Sequence, residues 1–209
     1  RLMAERSVSA FNREFRFPHL VVFADRNRVE REETFELPAA ARDRFLMEIA
    51  ITTPSDPATR RALAFDTRFH DGDRLIGGLE ESILAYDELN DVARAIPSEI
   101  KTSDALEQYV INLWQAVRNP GEAGITIPGV DTTRLVSAGA SPRGLSYLVR
   151  AARVAAWLDG RSMAVPEDVR AVFFETMAHR IFFEPVYEMR RESIARELID
   201  ALFETVPVP

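Results

Sequence analysis

Three polar residues stand where phosphate chemistry could use them. Asn27 lies just past the apolar run LVVFA at residues 20–24, at the carboxyl end of what reads as a buried strand. In open α/β sheets, ligands occupy the crevice outside such strand ends. An amide there can orient a water or a phosphate oxygen, although asparagine is also a common turn former. Arg44 ends the short helix that Pro38 opens in the stretch LPAAARDRF,. An arginine on a surface can reach into a neighbouring chain and stabilise a transferring phosphoryl group; the plainer reading is an ion pair with Asp43 or Asp25. Arg143 follows Ser141-Pro142, a helix start, and so falls in a first turn,. The helix dipole disfavours a cation there by a few tenths to about 1 kcal/mol. A bound anion would compensate, because free backbone N–H groups and the guanidinium would converge on it. A local carboxylate would do the same.

Other chemistries are excluded or fail on inspection. The chain has no cysteine, so disulfides, thiolate metal sites and cysteine nucleophiles are out. His19, His70 and His179 are far apart in sequence and have no metal-ligand spacing,. GASPRG is not the G-x-S-x-G elbow of hydrolases,, and DGD at 71–73 lacks the further oxygens of a calcium loop. No protein-borne metal site is expected. LVVFAD resembles the strand ending in Asp that holds magnesium in P-loop enzymes, but Arg26, not an acid, comes next. The phosphate cradle G-x-x-x-x-G-K-[ST] does not occur either. Lys101-Thr102 has no glycine in the twenty residues before it.

The bulk numbers fit an ordinary globular protein: 46% of the 209 residues are hydrophobic and 28% charged, enough for one sizeable core or two small ones. A net charge of −7 argues against a general nucleic-acid partner. No apolar stretch approaches a membrane span, and no signal peptide is visible, so a cytoplasmic protein is expected. The chain opens on Arg1 in mid-pattern, as a piece of something longer would.

The elements that must position these residues come in two kinds. Residues 7–17 alternate around Asn12-Arg13 as a hairpin does. Residues 20–24 and 45–51 read as strands covered on both faces. Beyond Pro54 the pattern is helical. Asp56-Pro57 starts a helix, DGDRLIGG at 71–78 reads as a loop, and Leu106, Tyr109, Val110, Leu113, Trp114 and Val117 recur at amphipathic helical spacing,. Residues 119–139 read as a long connection. Helices then follow from Ser141-Pro142 to Gly160, from Pro166, and through Ile194, Leu198 and Leu202. Two subdomains are expected, 1–54 and 55–209.

Together, FADRNRVEREETFELPAAARDRFLMEI and SAGASPRGLSYLVRAARVAAWLDGRSMAVPEDVRAV resemble the second half of a MoxR-type AAA+ ATPase. The stretch beginning at Phe23 is similar to that family's sensor 1 segment running through its arginine-finger helix into the last core strand. The stretch beginning at Ser137 is similar to its sensor 2 motif and the helices after it. The resemblance implies an α+β, mostly α chain: the C-terminal part of a P-loop AAA+ α/β core with its hairpin (1–54), then an all-helical lid domain (55–209). It implies that Asn27 positions attacking water as sensor 1. Arg44 would be the finger offered to the next subunit, and Arg143 the sensor 2 contact to nucleotide. It further implies ATP and Mg2+, with the Walker segments upstream of Arg1, and a homo-oligomeric ring, a hexamer, with chaperone-like remodelling activity. A partner with a von Willebrand A domain would accompany it, without nucleic acid. Residues 1–209 alone are then expected to be inactive. The chain departs from the family pattern at Arg28, Glu33, Ala39 and Val165, where proline, glycine, glutamate and a hydroxyl cap are usual. A helical interaction module without hydrolysis and a magnesium-chelatase-like subunit are the competing readings.

Overall fold

The computed structural model describes residues 2–25, 37–80 and 85–209. One helical turn, α1 (Leu2–Glu5), leads into a hairpin of β1 (Ser7–Ala10) and β2 (Arg13–Arg16), antiparallel with Ser7 opposite Arg16 and Ala10 opposite Arg13. Phe11 and Asn12 join the strands at φ of 52° and 59°. Two successive left-handed residues give a two-residue turn the twist that its strands need. The expected hairpin is present.

The two buried strands are not. Residues 20–25 and 45–51 form no strand, and much of their apolar surface is open: Phe23 is 90% exposed and Ile51 96%. The physical reason is pairing. A strand exists only where a neighbour takes its N–H and C=O groups, and among the described residues neither segment lies against another strand. Between the segments, α2 (Ala39–Arg42) forms a single turn with Pro38 at its N-cap.

From there the chain is helical. In α3 (Pro57–Phe65) the Asp56 carboxylate caps the helix, accepting from the Ala58 and Thr59 N–H groups at 3.3 and 2.8 Å. The stretch expected as a loop at 71–78 instead forms α4 (Gly72–Gly77), because Asp71 accepts from the Arg74 N–H at 3.0 Å and nucleates a turn despite the glycines,. Then come α5 (Leu89–Glu99), α6 (Asp104–Arg118), β3 (Val136–Ala138), α7 (Pro142–Leu158), α8 (Pro166–Met177), β4 (Phe182–Phe183), α9 (Pro185–Glu188) and α10 (Arg191–Thr205). Short 3-10 turns occupy Thr67–His70, Thr132–Arg134 and Ala178–Arg180.

The core is built from α6, α7, α8 and α10. Leu113 and Val117 of α6, Leu148 of α7, Phe173 and Met177 of α8, and Leu198 and Leu202 of α10 are all fully buried. Among the described residues, every buried hydrophobic side chain lies between Ile96 and Val206. The 119–139 connection is not structureless: it buries Ile125, Ile127 and Leu135, and ends in β3, which pairs with β4. Among the described residues the chain is therefore mostly α, with two small two-stranded sheets.

α8 begins without a hydroxyl cap. Val165 holds the N-cap position, and Asp168 reaches back to accept its N–H at 2.8 Å. Arg161, just past the α7 terminus, donates to both Asp168 oxygens and to Asp159. Burial pulls the Asp168 carboxyl up, but these hydrogen bonds outweigh it and hold its pKa below the usual value.

Candidate functional site

The geometry that matters converges on the turn after α2. Asp43 is the C-cap of that helix, its N–H bonded to the Ala39 carbonyl at 3.0 Å. Its carboxylate meets α7 and the turn that carries Arg180. There it accepts from Ser141 Oγ at 2.8 and 3.0 Å, from Arg143 Nη1 at 3.2 Å, and lies 3.3 Å from Arg180 Nε. Ser141 is the N-cap of α7, its Oγ accepting from the Gly144 N–H at 3.5 Å while donating to Asp43. The expected helix start is thus doubly used: one hydroxyl caps α7 and ties it to the α2 turn.

Arg143 stands in the first α7 turn, as its position after Ser141-Pro142 requires. Asp43 is the local carboxylate that offsets the helix dipole, so of the two compensations open at the sequence level the structure shows this one. The pair is unequal in exposure: the Arg143 side chain is 45% accessible and the Asp43 side chain 16%. Arg143 can leave for another anion without abandoning a bare carboxylate, since Ser141 and Arg180 remain on Asp43.

Arg180 was not legible as a site residue. Its side chain is completely buried. Its guanidinium donates to the carbonyls of Asp43 (3.2 Å) and Leu46 (3.3 Å), and also to those of Phe45 and Thr176. It also lies 5.2 Å from the Tyr147 ring centroid. A buried charge persists only when acceptors and a counter-charge are close; here Asp43 supplies the counter-charge, and the acceptors come from the α2 turn and, at Thr176, from α8, while Nε has no hydrogen-bond partner. Burial pushes the Arg180 pKa down, while Asp43 opposes the shift. Space for it depends on Gly144: a Cβ at that position would sit 2.7 Å from Arg180 Cδ.

Its neighbour His179 is buried against the same turn, with Nε2 3.3 Å from the Phe45 carbonyl. A carbonyl can only accept, so Nε2 carries the proton. Burial first, and the adjacent Arg180 charge second, push the His179 pKa down to about 4. A further hydrogen bond, from the Glu48 N–H to the Glu175 carbonyl at 2.9 Å, extends the seam.

Arg44 sits in the middle of this anchored segment. It makes no ion pair among the described residues, in contrast to the expected pairing with Asp43 or Asp25. Nη1 donates to the Ala40 carbonyl, and Nε has no hydrogen-bond partner. The side chain is half-buried rather than sealed. Arg44 and Arg143 are thereby brought to one turn, Arg143 on the Asp43 carboxylate and Arg44 as the next residue in the chain. Asn27 lies outside the described residues.

As for bound groups, Arg143 at a helix N-terminus suits a phosphate oxygen. Magnesium is not matched: among the described residues no cluster of three or more His, Asp or Glu side chains could hold a metal ion. Nor, among them, is any helix long and apolar enough to cross a membrane.

Residues 131–200 match the family described as the AAA lid domain. Over all 209 residues the chain is 63% identical to Protein MoxR of Methylorubrum extorquens, covering 61% of that protein, and 58% identical to Protein MoxR of Paracoccus denitrificans, covering 62%. It is 30% identical to Chaperone MoxR1 of Mycobacterium tuberculosis, covering 52% of it. The crystal structure of a candidate ATPase from Cytophaga hutchinsonii superposes with a TM-score of 0.80 at 26% identity, over the whole of this chain and 60% of the other. The chain thus spans about three fifths of the length of the two MoxR proteins it matches. A lid-domain match that includes Arg143 and Arg180, joined to similarity along the rest of the chain, makes the MoxR-type AAA+ proteins what this chain is similar to from end to end.

Proposed function

We propose that the chain is the sensor, finger and lid portion of an ATP-hydrolysing MoxR protein, with residues 1–54 belonging to the α/β core and 55–209 to the lid. ATP supplies a terminal phosphoryl group that is transferred to water in line. Asn27 orients that water in its own subunit. Arg143 holds a phosphate oxygen and so links the lid to the nucleotide. Arg44 neutralises charge developing in the site of the adjoining subunit, which makes a homo-oligomeric ring, a hexamer, part of the reaction. The phosphate loop and the magnesium ligands belong to the remainder of the protein. Residues 20–24 and 45–51 pair there with further strands, which fits their open apolar surface. Turnover drives chaperone-like remodelling, in keeping with the name of the mycobacterial relative, and does so in concert with a von Willebrand A domain partner.

The observation that carries this reading is the state of Arg44. A guanidinium that makes no ion pair among the described residues, partly open to solvent and held on a turn that the lid grips from behind, is prepared for a ligand outside its own fold. In the full-length protein, Arg44→Ala is expected to lower kcat by about 10³-fold or more with nucleotide binding retained, measured by phosphate release and a fluorescent nucleotide. Wild-type turnover would overturn the assignment.

A further inference from the structure

We propose that Asp43 and Arg180 are positioning residues that couple the nucleotide contact of Arg143 to the placement of Arg44. The inference rests on the roles just assigned to the two arginines and adds a link between them.

The link is made of single contacts. Arg143 touches the Asp43 carboxylate at 3.2 Å, and that carboxylate is one residue from Arg44. His179 and the Glu48 N–H fix the turn further along, at Phe45 and Glu48. Arg180 holds its carbonyls on both sides of Arg44, at Asp43 before it and at Phe45 and Leu46 after it. Ser141 holds the same carboxylate from the α7 N-cap. One buried guanidinium and one half-buried carboxylate thus span from the first turn of α7 to the backbone that carries Arg44.

A phosphate and Asp43 compete for Arg143. When Arg143 turns to phosphate, Asp43 keeps Ser141 and Arg180, so its negative charge bears more fully on Arg180. The carbonyls that Arg180 holds are those of the Arg44 turn. Any adjustment of the guanidinium is therefore transmitted to Arg44. Gly144 permits the arrangement by leaving space for Arg180 beside the first turn of α7. Nucleotide state in one subunit would in this way set the reach of its arginine into the next.

The full-length protein tests this with a non-hydrolysable ATP analogue and magnesium. Hydrogen exchange at residues 43–48 is expected to change when the analogue binds to wild type and to stay fixed in Asp43→Asn. That variant, freed of the competing carboxylate, is expected to bind the analogue up to about fivefold more tightly. It should turn over about ten- to a hundredfold more slowly, and Asp43→Glu should recover part of kcat. A purely structural Asp43 would move stability but not this split. Unchanged exchange at 43–48 in wild type, or wild-type affinity and kcat in a folded Asp43→Asn, overturns the coupling. Should Asp43→Asn not fold, the wild-type exchange decides alone. Arg143→Ala separates the two levels. Weaker analogue binding in that variant alongside an unmoved 43–48 segment in wild type removes the coupling only, whereas undiminished binding removes the nucleotide contact and the coupling with it.

Discussion

Residues 96–206 and residues 2–95 are comparably apolar in places, yet they use that character in opposite ways. In the first region Phe173, Leu148 and Leu198 are entirely buried; in the second Phe23, Ile49 and Ile51 are 90%, 70% and 96% exposed. Amphipathic helices can bury their own faces against one another, so α6, α7, α8 and α10 make a core unaided. Strand-like runs cannot, because their backbone groups need lateral partners before their side chains have anything to pack on. Between the two regions lies the α2 turn, which belongs to the first half by sequence and to the helical core by its contacts. Arg180 marks the difference: it holds the carbonyls of Asp43, Phe45 and Leu46, whereas Ile49 and Ile51 stand open.

The sharpest way to break this comparison is by truncating side chains on each side of it. Phe173→Ala is expected to cost about 3–5 kcal/mol of unfolding free energy, read from urea titrations of the 209-residue chain, whereas Ile51→Ser should lie within about 0.5 kcal/mol. In the full-length protein the Ile51 change is expected to become costly, about 1–3 kcal/mol, if further strands cover it as proposed. Equal costs at the two positions in the short chain would dissolve the contrast.

A smaller effect sharpens the seam between the regions. His179 is held neutral, its pKa lowered to about 4 by burial and by Arg180, with Arg42 adding to the repulsion and Glu48 and the Phe45 carbonyl opposing it. A group whose folded pKa is depressed contributes its stability above its unfolded value and loses it as pH falls toward the folded one. Stability should therefore decline from about pH 6.5 to about pH 4, by up to roughly 3 kcal/mol from this residue. His179→Gln should flatten that part of the profile relative to wild type. An unchanged slope would mean that His179 is not sealed against the α2 turn.

Much of the helical half was legible because its signals are local. Ser141-Pro142 and Asp56-Pro57 announce caps, the spacing from Leu106 to Val117 announces a face, and Gly160 takes the φ of 70° that ends α7. The hairpin was legible for the same reason, through Asn12. The apolar runs at 20–24 and 45–51 read as strands but stand unpaired here, because an apolar run records what a segment needs, not whether its partner is at hand. The 71–78 helix was missed because three glycines obscured the Asp71 cap. Arg44 and Arg143 could be singled out from helix position and residue type. Asp43 was visible only as a possible partner for the wrong arginine, and Arg180 not at all. Its role depends on a contact between residues more than a hundred positions apart, and the single hint was a glycine, Gly144, in a helical first turn where nothing local requires one.

The central claim is that Arg44 acts on a neighbouring subunit while Asn27 acts within its own. Full-length Arg44→Ala and Asn27→Ala, each inactive alone, would be mixed under subunit exchange and assayed for phosphate release. The expected result is recovered turnover, since some junctions then combine an intact Arg44 from one subunit with an intact Asn27 in the next. Mixed rings that form but stay as inactive as either parent would contradict it.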